Sequence, residues 1–444
     1  MGDTKYRETG RAATTGVIDG RYSLSVGKPD REPRPGWNWT PLSDVARLES
    51  GHTPSRRRPE YWNGEIPWIG IRDATGGHGT VLDQTRECVT AEGIANSSAR
   101  ILPRHTVCLS RTASVGYVVA MGCEMATSQD FVNWVCGPEL DWRFLLYALL
   151  AEHDTFGRFA HGTTHQTIYF PEAKAFHVCM PSIQQQRVIG EILGRLDDRI
   201  ALCRSQAATL ESVAAAIFKS RFVDFDGVTE LEESALGLIP VGWSVGTLDD
   251  LCGPHNTKPA VAPAAVITLD QMPKASTILN DWKPFGGEKS LRSFEKGDVL
   301  FGKLRPYFHK VGVAPVSGAC STEILVLRPQ DGAYWGLVLG HASSSAFIEH
   351  CVLHSTGTRM PRAEWKDVKA YPIAIPPVEI AAEFTVQVRS IYERTNALVV
   401  QLRALTELRD ALLPKLVSGE LEVPDSLLEI YGGEQPEEAW PVDS

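Results

Sequence analysis

Three consecutive arginines, Arg56, Arg57 and Arg58, stand between Pro54 and Pro59. A proline-bounded run of guanidinium groups suits the clamping of phosphates, with an affinity that falls as salt rises. Arg72 and Arg111 follow, then Thr163, Thr164 and Gln166 in a Gly-Thr-Thr loop. Further on, Lys303, Arg305, Tyr307 and Lys310 share the stretch GKLRPYFHK, and Thr358, Arg359 and Arg362 follow a second Gly-Thr pair. Nucleic-acid recognition uses these side chains: cations for phosphates, and hydroxyl, amide and guanidinium groups for base edges. Taken singly, each is also an ordinary solvated surface residue.

The same scan finds no reaction centre. There is no phosphate loop, and GGEKS at Gly286 lacks the glycine that should precede its lysine. SVGY at Ser114 has no dinucleotide-binding glycine spacing, and no His-Glu-x-x-His sequence occurs. His161 and His165 flank Gly162 in an expected loop, a poor place for a metal pair, so no metal site is predicted. The Asn/Asp-Pro-Pro-aromatic motif of amino-methyltransferases is missing. Glu172 and Lys174 imitate part of a nuclease signature without an upstream acidic partner and read as a turn before a strand. The nine cysteines show no paired spacing, and Cys108, Cys136 and Cys179 fall in apolar runs, so buried reduced thiols are expected.

Taken over the whole chain, the net charge of −10 argues against a polyanionic partner. Eight of the acidic residues, however, lie between Glu420 and Ser444, where there is no Lys or Arg; without them the balance is about −2. A poorly ordered polar extension is expected over 1–35 and an acidic tail over 422–444. No apolar run approaches the roughly 18 residues of a membrane span. The start has no apolar signal core, and Tyr6 stands where a myristoylation signal needs Ser or Thr. The chain reads as cytoplasmic.

What must position the candidate residues is an internal repeat. GTTHQTIYFPEAKAFHVCMPSIQQQ from Gly162 and GTRMPRAEWKDVKAYPIAIPPVEIA from Gly357 correspond without a gap at an offset of 195. Phe176 then matches Tyr371, Pro181 matches Pro376, Arg199 matches Arg394 and Phe218 matches Leu413. The halves also open alike, with PGWNWTPLSDVARLESG at Pro35 and VGWSVGTLDDLCGPHNT at Val241. HTVCLSRTASVGYVV pairs with GDVLFGKLRPYFHKVGV, and TSQDF at Thr127 with CSTEI at Cys320. Two copies of one module are predicted, with similar frames and different interiors.

Each copy reads as a mixed α/β globule followed by a long helix. Short β-rich runs such as IPWIGIR, TVCLSR, GYVVAM, FVNWVC, DVLFGK and STEILVLRP are punctuated by Gly, Pro and Asp. Shorter helices are expected over Trp142–Glu152 and Tyr334–Cys351. In the first long helix Ile189, Ile192, Leu196, Ile200, Leu210 and Ile217 recur in steps built from three and four. In the second, Ile391, Leu398, Leu402, Leu405 and Leu412 keep the rhythm, with polar interruptions at Thr395 and Arg409. A narrow apolar stripe of this kind is a coiled-coil seam. A helix of about 40 residues is roughly 60 Å long, more than one small globule covers, so mutual antiparallel packing is expected. The competing reading makes each stripe the core helix of its own domain. Two heads on a rod suit split-site binding of DNA, whose successive turns on one face are about 34 Å apart.

In their order and duplication these residues resemble the specificity (S) subunit of type I restriction–modification systems, over roughly Gly36 to Leu421. The carriers are GWNWTPLSDVARLESGHTPSRRRPEYWNGEIPWIGIRDA, HGTTHQTI, STGTRM, AIPPVEIAAEFTVQVRSIYERTNAL and LRDALLPKLVSGEL. The resemblance implies target recognition domains at 36–181 and 227–376, the second with its linker. It also implies antiparallel coiled-coil helices at 182–226 and 377–421, in a pseudo-two-fold arrangement. Each domain would read half of a bipartite site in double-stranded DNA, and the helices would set the spacer and dock two methyltransferase subunits. Those partners would bring S-adenosylmethionine for adenine-N6 methylation, and two motor-nuclease subunits would bring ATP and Mg; this subunit would hold no cofactor and catalyse nothing. An adaptor whose heads bind protein, or an S-like subunit of another phage-defence system, is the alternative. The chain departs from the family where a Glu-Gln pair usually follows the prolines: it has Ile183-Gln184-Gln185-Gln186-Arg187 and Val378-Glu379-Ile380-Ala381-Ala382.

Overall fold

The computed structural model describes residues 16–112, 114–160, 166–357 and 359–431. It divides into two compact units, one made of the chain up to Asp198 together with Thr406 onward, the other of Arg199–Leu405. Within the first unit a five-stranded sheet runs in the order Ala46–Ser50, Phe131–Cys136, Val107–Ser110, Val118–Met121, Val81–Leu82. Within the second the order is Cys252–Pro254, Ile324–Pro329, Val299–Gly302, Lys310–Val313, Ser276–Ile278. Both sheets are antiparallel except at the last pair, which is parallel. The internal repeat is therefore a repeat of topology as well as of sequence.

Strand period explains why both sheets are buried on two faces. Val107, Leu109, Val118, Ala120, Val132 and Trp134 face one core, while Cys108, Val119, Met121 and Phe131 face another. In the second unit Val299, Phe301, Val311, Val313, Leu325 and Leu327 face one core, and Leu300, Ile324 and Val326 the other. Several expectations from sequence are corrected in detail. Within 1–35, expected to be a poorly ordered extension, Leu24–Val26 is a buried strand of the first unit. IPWIGIR is not one strand: it ends at Ile69, and a helix starts at Ile71 because the Asp73 carboxylate accepts the Gly70 N–H at 2.9 Å. The helix expected over Tyr334–Cys351 is two, Trp335–Ala342 and Ser345–Leu353. The break falls where the Ser343 hydroxyl donates back to the Leu339 carbonyl and the Ser344 hydroxyl accepts the Phe347 N–H.

The long helices span Ile183–Phe222 and Val378–Val417, 40 residues each, their starts and ends both 195 apart. In the first unit Val188, Ile189 and Leu193 from one helix share a core with Leu413, Leu416 and Val417 from the other; Ile192 and Leu412 pack on it. In the second unit Ile200, Cys203 and Ala207 meet Leu398 and Leu402, with Leu210 and Leu405 alongside. Farther along that unit Ala214, Phe218 and Phe222 share a core with Phe384, Val388 and Tyr392, flanked by Ile217 and Ile391. Early residues of one helix thus meet late residues of the other, as antiparallel packing requires. Leu196 is half-buried.

The polar interruptions are inside the packing. Arg409 donates to Asp197 at 2.8 Å, and the Tyr147 hydroxyl donates to the same carboxylate at 2.7 Å. Thr395 is buried and returns its hydroxyl to the Ile391 carbonyl at 3.0 Å. The departure at the helix starts has a compensation too. Gln186 is buried and holds the first helix to Asp141 N–H, at 2.9 Å, and to the Pro181 carbonyl, also at 2.9 Å. The repeat puts Ala381 in its place, and Thr385 takes over by accepting the Gly336 N–H at 2.9 Å and donating to the Ala333 carbonyl at 2.5 Å.

One asymmetry is dictated by a single residue. In the first unit strand Phe176–Met180 pairs on one edge with Asn38–Pro41 and on the other with Leu24–Val26. In the second, strand Pro372–Ile375 pairs with Ser244–Thr247 alone. Pro372 occupies the position of His177. Leu248 donates to the Tyr371 carbonyl, which fixes the pairing phase and turns the Pro372 nitrogen toward the other edge. That edge lacks a donor, and strand addition there is blocked.

Gly340 lets the first long helix approach the second unit's short helix. A Cβ there would lie 2.1 Å from Cδ2 of the Phe218 ring. We expect Gly340→Ala to lower stability by about 1–3 kcal/mol through overpacking, measured by urea unfolding of the full chain. Phe218→Leu, the residue found at the repeat-related Leu413, should recover part of the loss. A neutral Gly340→Ala would show that this contact does not set the helix position.

Candidate nucleic-acid interface

Arg111 in the first unit, and Lys303, Arg305 and Tyr307 in the second, lie in the hairpin between the third and fourth strands of the sheet. The connecting segments are seven residues each, 111–117 and 303–309. Two hydrogen bonds recur at each. The Arg111 N–H donates to the Asp130 carbonyl at 2.7 Å, and the Lys303 N–H to the Glu323 carbonyl at 2.9 Å. The Ile168 N–H donates to the Arg111 carbonyl at 2.9 Å, and the Ala363 N–H to the Lys303 carbonyl at 3.0 Å. Hairpin, following turn and the segment after the Gly-Thr pair are thus tied together twice, by the same backbone atoms. Thr163, Thr164 and Thr358 lie outside the described residues; Gln166 and Arg359 are exposed beside these ties.

In the first unit the loop from Gly51 joins the cluster. A Cβ on Gly51 would lie 2.0 Å from the Ser128 carbonyl oxygen, so only glycine lets the backbone close in, and the His52 N–H reaches the Thr127 carbonyl at 2.9 Å. Gln129, which motif reasoning passed over, bonds the Thr53 hydroxyl through its side chain and accepts Arg111 Nε at 3.1 Å through its carbonyl. Burial pulls the Arg111 pKa below the ordinary arginine value, opposed by the charge of Asp130.

The three consecutive arginines have different fates. Arg56 forks onto both Glu87 oxygens, at 2.5 and 2.8 Å, and its guanidinium carbon lies 3.5 Å from the centre of the Trp62 ring. That contact holds the Glu87 carboxyl below the usual carboxylate range. Arg58 approaches Glu60 at 3.3 Å. Arg57 and Arg72 are exposed and make no ion pair with a described residue.

The second unit spends its cations more fully. Lys303 is 14% exposed and lies 3.8 Å from Glu364. Arg362 pairs with Glu323 at 3.0 Å. Lys310 donates to the Leu269 carbonyl, and burial lowers its pKa, opposed by the charge of Asp270. Arg305 and His309 both sit in the left-handed backbone region, at φ 52° and 50°, a cost of roughly 1–2 kcal/mol each for non-glycine residues. Between them Tyr307 is exposed, its ring edge-on to Phe308 with centroids 4.8 Å apart. Lys274, another residue the sequence did not single out, places Nζ 4.5 Å from the Phe308 centroid. No signal marked it, since it comes from a loop remote in sequence.

The described residues contain no group of three His, Cys, Asp or Glu side chains fit for a metal ion. Glu172 lies buried on the short helix Phe170–Lys174, with Lys174 exposed, rather than on the turn expected there. All nine cysteines are free thiols. No described helix is long and apolar enough to cross a membrane.

Residues 35–212 match the family described as Type I restriction modification DNA specificity domain. The specificity subunit of the type I restriction enzyme MjaIX from Methanocaldococcus jannaschii is 25% identical over 413 residues, covering 88% of this chain and 94% of that one. The crystal structure of a type I restriction–modification system S subunit from M. genitalium shares the fold, with a TM-score of 0.56 at 14% identity, over 86% of this chain and 96% of the other. The chain is similar to a type I specificity subunit along most of its length, and its first half matches the family's domain. The EcoR124I/EcoR124II specificity subunit of Escherichia coli is 24% identical over 166 residues, 36% of this chain and 40% of its own. The likeness to the M. jannaschii specificity subunit therefore spans both units, whereas that to the E. coli one is partial.

Arg56 is a fold residue. We expect Arg56→Ala to cost about 1 kcal/mol, from one exposed bidentate pair and its ring contact; thermal unfolding would show it. Arg57→Ala should leave the midpoint unchanged. Equal effects from the two substitutions would contradict this assignment.

Proposed function

We propose that each unit reads one half of a bipartite site in double-stranded DNA, using the cluster of hairpin, turn and post-Gly-Thr segment as its reading surface. The observation that carries this is the recurrence of the same backbone hydrogen bonds around Arg111 and Lys303, with different side chains mounted on them. A duplicated frame with unlike side chains suits two unlike half-sites. Arg57, Arg72 and Arg359 are exposed and serve as phosphate contacts; Thr163, Thr164, Gln166 and Thr358 supply hydrogen-bonding groups for base edges.

In the same proposal the paired helices fix the gap between half-sites, since each begins in one unit and ends in the other. Their outer faces dock two methyltransferase subunits, which bring S-adenosylmethionine, and two motor-nuclease subunits join with ATP and Mg. The subunit itself holds no cofactor and works in the cytoplasm.

Two measurements test this. Arg57→Ala in the assembled complex should reduce the slope of log affinity against log salt by about one; an unchanged slope removes Arg57 as a phosphate contact. Seven residues inserted in each long helix, at the level where Ile200 meets Leu402, add about 10 Å. The preferred spacer should lengthen by about three base pairs, at roughly 3.4 Å each. A spacer that stays the same ends the ruler role of the helices.

A further inference from the structure

The two hairpin loops are equal in length but not in what they present. Position by position, Tyr307 corresponds to Val115. Val115 is half-buried and packs on the core of its unit, whereas Tyr307 is 50% exposed. The second loop is held at both ends. The Arg305 N–H donates to the Pro361 carbonyl at 2.7 Å, and the His309 ring lies 2.9 Å from the Ser343 carbonyl. The His309 carbonyl accepts the Ala275 N–H at 2.9 Å, and Pro306 is buried. Two non-glycine residues in the left-handed region bracket the turn, and such backbone persists where surrounding contacts over-determine it, which is common at binding sites. The result is a large aromatic ring fixed outward at a hairpin tip.

Its neighbours narrow what it can do. Lys303 and Arg362 are paired with carboxylates and Lys310 with a carbonyl, so these three cations are engaged within the unit. Lys274 stands over the Phe308 ring at 4.5 Å and Arg305 is 6.0 Å from it. The tip is therefore an aromatic pair backed by cations, suited to an apolar base surface beside a phosphate chain.

We propose that Tyr307 is the specificity-determining residue of the second unit, and that it selects its half-site by contact between its ring and an apolar base surface. That surface is either the 5-methyl edge of a thymine or the face of an unstacked base. The proposal rests on the reading of each unit as a half-site reader and names how one of them discriminates. The first unit, with Val115 turned inward, reads by hydrogen bonds instead.

The test is competition binding of the full chain, assembled with its methyltransferase subunits, against every single-base-pair variant of both half-sites. Tyr307→Ala should reduce discrimination at one or two adjacent positions of one half-site by roughly 5- to 150-fold. The other half-site and the salt slope should be unchanged, and Tyr307→Phe should retain the discrimination. Replacing thymine by deoxyuridine at the affected position should reproduce the loss if the methyl edge is the target. An abasic substitution opposite an unaltered thymine contact should reproduce it if a base face is the target. Unfolding midpoints of the two variants establish that the fold is intact. Discrimination unchanged at every position, or uniform weakening with a shallower salt slope, overturns the role of Tyr307. A wild-type complex with no base preference overturns the half-site reading itself, and this inference with it.

Discussion

Everything else depends on an apolar stripe too long for one lobe. A helix of 40 residues with three- and four-residue spacing of Ile, Leu and Ala exposes a seam that must be covered along its length. The chain meets this by duplicating the helix and setting the copies antiparallel, so that both contribute to the core of each unit. Leu413, Leu416 and Val417 close the core that Val188, Ile189 and Leu193 begin. Phe218 and Phe222 close the one that Phe384 and Val388 begin. Neither unit has a complete core without a segment that is distant in sequence.

One ion pair across that seam favours its register. Arg409 and Thr395 interrupt the apolar rhythm, yet Arg409 is paired with Asp197, whose carboxylate also accepts the Tyr147 hydroxyl, and Thr395 satisfies itself on its own helix. A half-buried ion pair adds little net stability, but sliding the helices would leave its charges unpaired, which is costly. Small contacts then tune the ends: Gln186 in one unit and Thr385 in the other make the equivalent attachment with different chemistry.

On this scaffold, the hairpin loops have common backbone anchoring and divergent surfaces. Asp130 and Glu323 provide carbonyls at equivalent places, and Ile168 and Ala363 close the same bond. The side chains beyond that frame are free to differ. One unit buries a valine and the other projects a tyrosine between two left-handed residues. Separating a shared backbone frame from unlike side chains lets one architecture carry two different surfaces.

The sequence by itself determined the duplication, the two helices and their seam, and the family resemblance, because these depend on periodicity and on residues that match at constant offsets. The strands of the central sheets were legible for the same reason: FVNWVC is a strand from its first residue to its last. What only the tertiary structure decided is which charges are already engaged. Arg56, Arg57 and Arg58 are alike as neighbours in a sequence, but Glu87 and Trp62 lie beside Arg56 alone, and both come from other strands. Gln129, Lys274 and the outward pose of Tyr307 were likewise invisible, since each is defined by a partner brought close by folding. Periodicity is a local property of the chain. The availability of a side chain is a property of its neighbours, and most of those are distant along it.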